Sequence, residues 1–211
     1  MGARLDPADS ALAILLATRN AKKLRELDRI VQAAALRVHF FALDLYPDVP
    51  TAPEEEATFA GNARRKALWY ARATGQICLA DDSGLEVDAL GGAPGVRSAR
   101  YAGPAASDAD NRSTLLAALR DVPEGRRTAR FRCALALADE EGVLFEADGS
   151  TEGTILAAER GAAGFGYDPL FLSTDLGRTF AEVDSSEKDR VSHRGRALAR
   201  LLDFLRDAPL L

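Results

Sequence analysis

A net positive charge and long apolar runs are missing from this chain and cysteine is scarce, and each lack removes a class of protein. The 211 residues carry 27 Lys and Arg against 32 Asp and Glu, a formal net charge of −5. That balance argues against binding nucleic acid through bulk charge, while leaving room for a local basic pocket that takes a small polyanion. Two cysteines are present, Cys78 and Cys133, each inside an apolar, strand-like run. They are too few for a structural zinc site or a disulfide framework, and they read as reduced core residues of a cytoplasmic protein. The apolar run at 11–17 is too short to cross a membrane, and Lys22 and Lys23 follow it closely. Neither a secretory signal nor a membrane partner is expected. There is no GxGxxG fingerprint, Walker A loop, Ser-His-Asp order, nucleophilic cysteine setting or His/Cys zinc spacing.

What is present is a globular composition, long enough to bury a real core as one large domain or two intimate lobes. Residues 1–10 read as a loose N-terminal extension and 11–211 as the single domain. The chain is organised around Ile77-Cys78-Leu79-Ala80-Asp81-Asp82-Ser83-Gly84. This predicts a buried strand that ends in two acids, with Gly84 letting the chain leave at an angle. Adjacent side chains on a strand point to opposite faces, so one carboxylate faces a site and the other faces local backbone or a second metal position.

The apolar run at 11–17 predicts a buried strand, and Leu24, Leu27, Ile30, Val31 and Ala34 predict a helix from Asn20, capped by Thr18 or Asn20. Strand, polar turn and helix start together make an anion site, unless Lys22 and Lys23 are solvated first-turn residues. A second strand is expected over 37–43, with His39 structural. Glu54, Glu55 and Glu56 close a Pro-rich loop. Thr58 to Thr74 reads as a helix burying Phe59, Ala63, Ala67, Tyr70 and Ala71, with Gly75 as its stop and Asn62 and Lys66 on one face. Glycines make 90–101 irregular, and Ser107 with Asp110 forms a capping box for a helix to Leu119. Residues 129–137 alternate as a strand, which turns at 139–142 and pairs back with 143–147; residues 151–157 form a separate extended piece. Gly164 to Phe171 is either a tight core loop or an aromatic platform beside ligand-binding backbone. Lys188, His193 and Arg194 form a second cationic cluster before an amphipathic helix carrying Leu198, Leu201, Leu202 and Leu205.

Basic groups suit a polyphosphate, paired acids suit Mg²⁺, and an aromatic loop suits a base. From the residues alone, then, the chain reads as a Mg²⁺-dependent enzyme acting on a nucleoside polyphosphate. The ordered motifs Thr18-x-Asn20-x-x-Lys23-x-x-Glu26, Thr58-Phe59-x-x-Asn62-Ala63, Asp81-Asp82-Ser83-Gly84-Leu85, Leu90-Gly91-Gly92-Ala93-Pro94-Gly95, Ser98-Ala99-Arg100-Tyr101, Phe165-Gly166-Tyr167-Asp168-Pro169 and Ser192-His193-Arg194-Gly195 resemble the inosine triphosphate pyrophosphatase family. The resemblance runs from about residue 13 to 206.

That resemblance implies an α/β fold with a long twisted mixed sheet flanked by helices, and two lobes with a nucleotide cleft between them. It implies a homodimer that hydrolyses deaminated purine triphosphates (ITP, dITP, XTP) to the monophosphate and pyrophosphate. By position, Asp82 is the general base and a Mg²⁺ ligand, and Glu54 is the second metal ligand, with Glu55 the runner-up. The turn of Thr18, Arg19, Asn20, Ala21, Lys22 and Lys23 holds the triphosphate, with Lys66 and Ser83 nearby. Arg19 stands where the family commonly has glycine, which bears on close backbone approach to phosphate. Phe165, Gly166, Tyr167, Asp168, Lys188, His193 and Arg194 form the base pocket. Backbone N–H groups near Phe165 and Gly166, or His193, could read the 6-oxo group. The alternatives are a Maf-like pyrophosphatase for pyrimidine or modified nucleotides and a non-catalytic nucleotide-binding module.

Overall fold

The computed structural model describes residues 12–34 and 38–207. The extension expected over 1–10 lies outside the described residues, as do Ala11 and Arg37 at the ends of two expected strands. The elements run β1 (Leu12–Leu16), α1 (Ala21–Ala33), β2 (Val38–Ala42), α2 (Phe59–Thr74), β3 (Cys78–Val87), α3 (Asp108–Ala118), β4 (Thr128–Ala138), β5 (Val143–Ile155), β6 (Phe171–Ser173), α4 (Ser185–Val191) and α5 (His193–Asp207). One six-stranded sheet has the order β2-β1-β3-β4-β5-β6. Its β1–β2 and β1–β3 pairs are parallel and the rest antiparallel, so the sheet is mixed and flanked by helices, as the sequence predicts.

Helix α2 forms where several local signals agree. Thr58 caps it by accepting from the Gly61 N–H at 3.0 Å, and Gly75 ends it at φ +65°. Ala63, Ala67 and Ala71 are small, so the helix lies close on the sheet, where they pack with Tyr70 against Leu15, Cys78, Ala80 and Ala136. On the opposite face, Ile14, Leu16, Leu79 and Leu135 take Leu27 of α1 and Ala197, Leu198 and Leu201 of α5. A third cluster joins Leu85, Val87 and Phe131 to Leu115 of α3 and Leu119 at its C-terminal end, and to Phe171 and Phe180. Cys78 and Cys133 are buried, and burial pushes both thiols up to about 12, which keeps them inert.

Two expectations about strands fail for one physical reason. Strand β3 does not end at the acids; it continues through Asp81, Asp82, Ser83 and Gly84 to Val87, paired with β4 throughout. Gly84 turns nothing. A Cβ there would lie 2.4 Å from Ser98 Oγ and 2.6 Å from the Gly95 carbonyl, so the glycine makes room for the 95–100 segment. Likewise β5 is one strand of 13 residues, not two pieces. Gly149 at its middle admits α5, since a Cβ would meet the His193 carbonyl at 2.1 Å. Both glycines resemble turn residues in sequence, but they serve close approach between elements distant in the chain. His39 is exposed on β2.

Candidate active site

Alternation along β3 decides where its two aspartates go. Cys78 and Ala80 face α2 while Leu79 faces α1 and α5. Asp82 therefore follows Ala80 towards α2, and Asp81 follows Leu79 to the other side. On the α2 side, Asn62 Nδ2 donates to Asp82 Oδ2 at 3.0 Å, and Lys66 Nζ stands 3.9 Å from Asp82 Oδ1. The same ammonium is 2.6 Å from Glu54 Oε1, while Arg100 Nη1 is 3.1 Å from Glu54 Oε2. Glu55 and Glu56 instead pair with Arg65. Of the three glutamates, Glu54 is the one whose carboxylate stands beside Lys66, with Asp82 on the other side of that ammonium.

Asp81 takes neither role expected of it. It faces neither local backbone nor a second metal position; it pairs with Lys23 Nζ at 2.9 Å and Arg194 Nη2 at 3.3 Å. Arg194 also donates to Ser83 Oγ at 3.0 Å and pairs with Glu26. Lys188 continues the chain, 3.0 Å from Glu26 and 2.7 Å from Asp168. Lys23, Asp81, Arg194, Glu26, Lys188 and Asp168 thus alternate in sign through the interior. Lys23 from the start of α1 and Lys188 and Arg194 from the second cationic cluster share one neutralised network, which is how so many charges tolerate burial.

These groups surround a cavity of about 270 Å³. Thr18, Asn20, Lys23, Glu54, Lys66, Asp82 and Ser83 line it, as do Phe165 to Asp168, Lys188, His193 and Arg194. At the start of α1, Asn20 Oδ1 accepts from the N–H groups of Lys22 and Lys23 at 3.0 and 3.4 Å, and Thr18 Oγ1 accepts from Asn20 N–H at 3.1 Å. Of the expected phosphate ligands, Arg19 and Lys22 are not in the wall, and the side chain of Ala21 lies outside what the structure describes. Arg19 reaches the Thr51 hydroxyl and the Val49 carbonyl, and Lys22 pairs with Asp108 at 3.0 Å. Helical geometry separates Lys22 from Lys23 by about 100°, so adjacent lysines cannot share one direction.

At the other end, the Phe165 ring has Lys188 Nζ at 5.0 Å and Lys22 Nζ at 5.5 Å from its centroid. Its loop is held by backbone donors already in use: Phe165 N–H to Asp168 at 2.9 Å and Gly166 N–H to Asp108 at 3.0 Å. His193 stacks on Phe131 with centroids 4.8 Å apart, and its Nδ1 has no hydrogen-bond partner among the described residues. Burial first, then Arg194 and Lys188, hold the imidazole well below its ordinary value, so it is neutral at pH 7.

Burial pushes the Asp82 carboxyl up, Glu54 adding to the effect, against the pull of Lys66, Lys23 and Asn62. Burial also pushes Glu54 up, but Lys66 and Arg100 outweigh it and hold that carboxylate below its ordinary value. One acid that is a better base than usual beside one that stays charged suits proton abstraction next to a cation. The donor set fits Mg²⁺, which takes one or two carboxylates and completes its shell with phosphate and water oxygens. The Lys66 ammonium beside both carboxylates marks the position as one that attracts a cation. No group of three or more His, Cys, Asp or Glu is placed to hold a metal by protein side chains alone among the described residues.

Sequence reasoning missed several wall residues. Arg100 and Ser98 stood in a quoted motif without a role. Phe131, Asp108 and Asn111 carried no signal, because their place depends on packing between distant elements.

The Ham1 family profile matches residues 14–204. The chain is 46% identical over 194 residues to a dITP/XTP pyrophosphatase of Desulforamulus reducens, covering 92% of this chain and 96% of that protein. It is 48% identical over 192 residues to a dITP/XTP pyrophosphatase of Geobacter sulfurreducens, covering 91% and 96%. The fold is similar to that of a HAM1 protein from Coxiella burnetii, with a TM-score of 0.85 and 41% identity over 93% of this chain and 100% of that one. It is also similar to a nucleoside-triphosphatase / dITP/XTP pyrophosphatase of Mycobacterium abscessus, with a TM-score of 0.74 and 46% identity over 90% and 99%.

Proposed function

The chain belongs to the Ham1 family, and from that premise we propose that it hydrolyses deaminated purine nucleoside triphosphates (dITP, XTP and ITP) to the monophosphate and pyrophosphate. The observation that carries this reading is one cavity with a carboxylate pair beside Lys66 at one end and a neutral, unpartnered His193 with the Phe165 ring at the other. An acidic pair next to a polyanion has no use in binding alone, which favours catalysis over a passive nucleotide module.

Thr18, Asn20, Lys23 and Ser83 receive the triphosphate. The base stacks on Phe165, within the pocket of Gly166, Tyr167, Asp168, Lys188, His193 and Arg194. Asp82 takes one proton from a water as the water oxygen bonds to the α-phosphorus; the α–β bridging bond breaks and pyrophosphate leaves. Glu54 and Asp82 would hold Mg²⁺, which supplies charge neutralisation at the phosphoryl oxygens and raises the acidity of water. Lys66 adds fixed positive charge at the same end. The backbone N–H groups of Phe165 and Gly166 are engaged, which leaves the His193 side chain to donate to a 6-oxo group. Adenine presents an amino group there and leaves that buried donor unpaired.

No helix among the described residues is long and apolar enough to cross a membrane. A cytoplasmic, homodimeric enzyme, formed of one two-lobed domain from residue 11 onward, completes the proposal. The test is a Mg²⁺-dependent assay of dITP, XTP and ITP against GTP and ATP that resolves pyrophosphate from orthophosphate. Selective release of pyrophosphate is the expected result. Orthophosphate release, or equal turnover of ATP, overturns the reading.

A further inference from the structure

Asn62 sits in the first turns of α2, where alanine would make a better helix and no charge demands a partner. Its side chain is 1% exposed and fully engaged. Its Oδ1 accepts from the Glu56 N–H at 3.0 Å, and its Nδ2 donates to Asp82 Oδ2 at 3.0 Å and to the Glu56 carbonyl at 3.4 Å. Accepting from a backbone N–H fixes which way the amide faces, so the group turned to Asp82 can only donate. Asp82 Oδ2 is thereby taken, and Oδ1 is the oxygen left beside Lys66. The same amide grips the acidic loop two residues from Glu54. One side chain therefore spans the strand that carries one carboxylate and the loop that carries the other.

We propose that Asn62 is a positioning residue for the divalent-metal site, holding Asp82 and Glu54 in register before the cation arrives. The inference rests on the metal-dependent reading above. It assigns Asn62 no contact with metal or substrate; its action is through Asp82 and the Glu54 loop. Outer partners of this kind are commonly worth 10–100-fold in metal affinity.

The test is Mn²⁺ binding to the full chain by electron paramagnetic resonance, with and without α,β-methylene-ITP, together with the Mg²⁺ dependence of turnover. Asn62→Ala should weaken Mn²⁺ binding by about 10–100-fold and raise the Mg²⁺ concentration for half-maximal rate, with KM for ITP within about twofold of wild type. Arg65→Ala, which frees the Glu55 and Glu56 side chains on the outside of the same loop, should leave Mn²⁺ affinity unchanged. If Asn62→Ala fails to fold by thermal melt, Asn62→Ser carries the same comparison with a smaller loss of packing. A folded Asn62 variant that binds Mn²⁺ as wild type does overturns the inference, as does an equal loss in Arg65→Ala. Failure of the wild-type protein to bind Mn²⁺ under either condition would instead refute the metal-dependent reading beneath it.

Discussion

Glu26 tests the idea that the interior charges work as one network. It lies 3.0 Å from Lys188 and pairs with Arg194, while Lys188 keeps Asp168 at 2.7 Å and Arg194 keeps Asp81 at 3.3 Å. In Glu26→Gln, three cations face two anions instead of three. Removing one partner of a buried pair costs about 3–5 kcal/mol. Each cation here retains a carboxylate, so the lower end, about 3 kcal/mol, is expected. For a chain of this length that is a fall in Tm of about 6–12 °C. Burial raises the Glu26 carboxyl, but Arg194 and Lys188 outweigh it and hold it below 4.5. A carboxylate depressed by folding contributes stability above its unfolded value and loses it as pH falls through its folded value. Glutamine has no such dependence. The gap between wild type and Glu26→Gln should therefore be full at pH 7 and shrink steadily below pH 4.5. Urea unfolding followed by circular dichroism and by the single tryptophan, Trp69, measures it at each pH. Equal midpoints at pH 7, or a gap that does not change in acid, would refute the reasoning.

Two further predictions concern the cavity. Asp82→Asn should lower kcat by about 10²–10⁴-fold while calorimetry still detects nucleotide binding; unchanged turnover would remove Asp82 from the chemistry. Phe165→Ala should cost about 1–3 kcal/mol of base stacking, read as a raised KM for dITP with little change in kcat, and an unaltered KM would place the base elsewhere.

Features set by neighbours in the chain were legible in the sequence. Thr58, the apolar period and Gly75 agree on α2, and Asn20 and the Ser107–Asp110 box mark two other helix starts. The opposite facing of Asp81 and Asp82 follows from strand geometry alone. What sequence hid was long-range neutralisation. Asp81 looks like a strand-end acid until Arg194, 113 residues away, is beside it. The same distance problem made Asp148-Gly149-Ser150 look like a break in β5, when Gly149 is the seat of α5. Lys22 and Lys23 were indistinguishable as letters, and only the pitch of α1 separates a cavity lysine from one that meets Asp108. Glu54 was separated from Glu55 and Glu56 by Arg65 and Arg100, neither of which the acidic run itself can name.

The adjacency of the two aspartates also limits how this enzyme can move. Asp82 is one peptide plane from Asp81, and Asp81 is moored by buried Arg194 and half-buried Lys23 within a strand paired along its whole length. A backbone shift large enough to swing the reacting carboxylate would have to drag that mooring with it. If Asp82 is the proton acceptor proposed above, it is the stationary part of the cavity, and adjustment to different bases falls to the walls around it. A one-residue slip of β3 would swap the faces of the two aspartates, turning Asp81 towards α2 and Asp82 towards the Arg194 side.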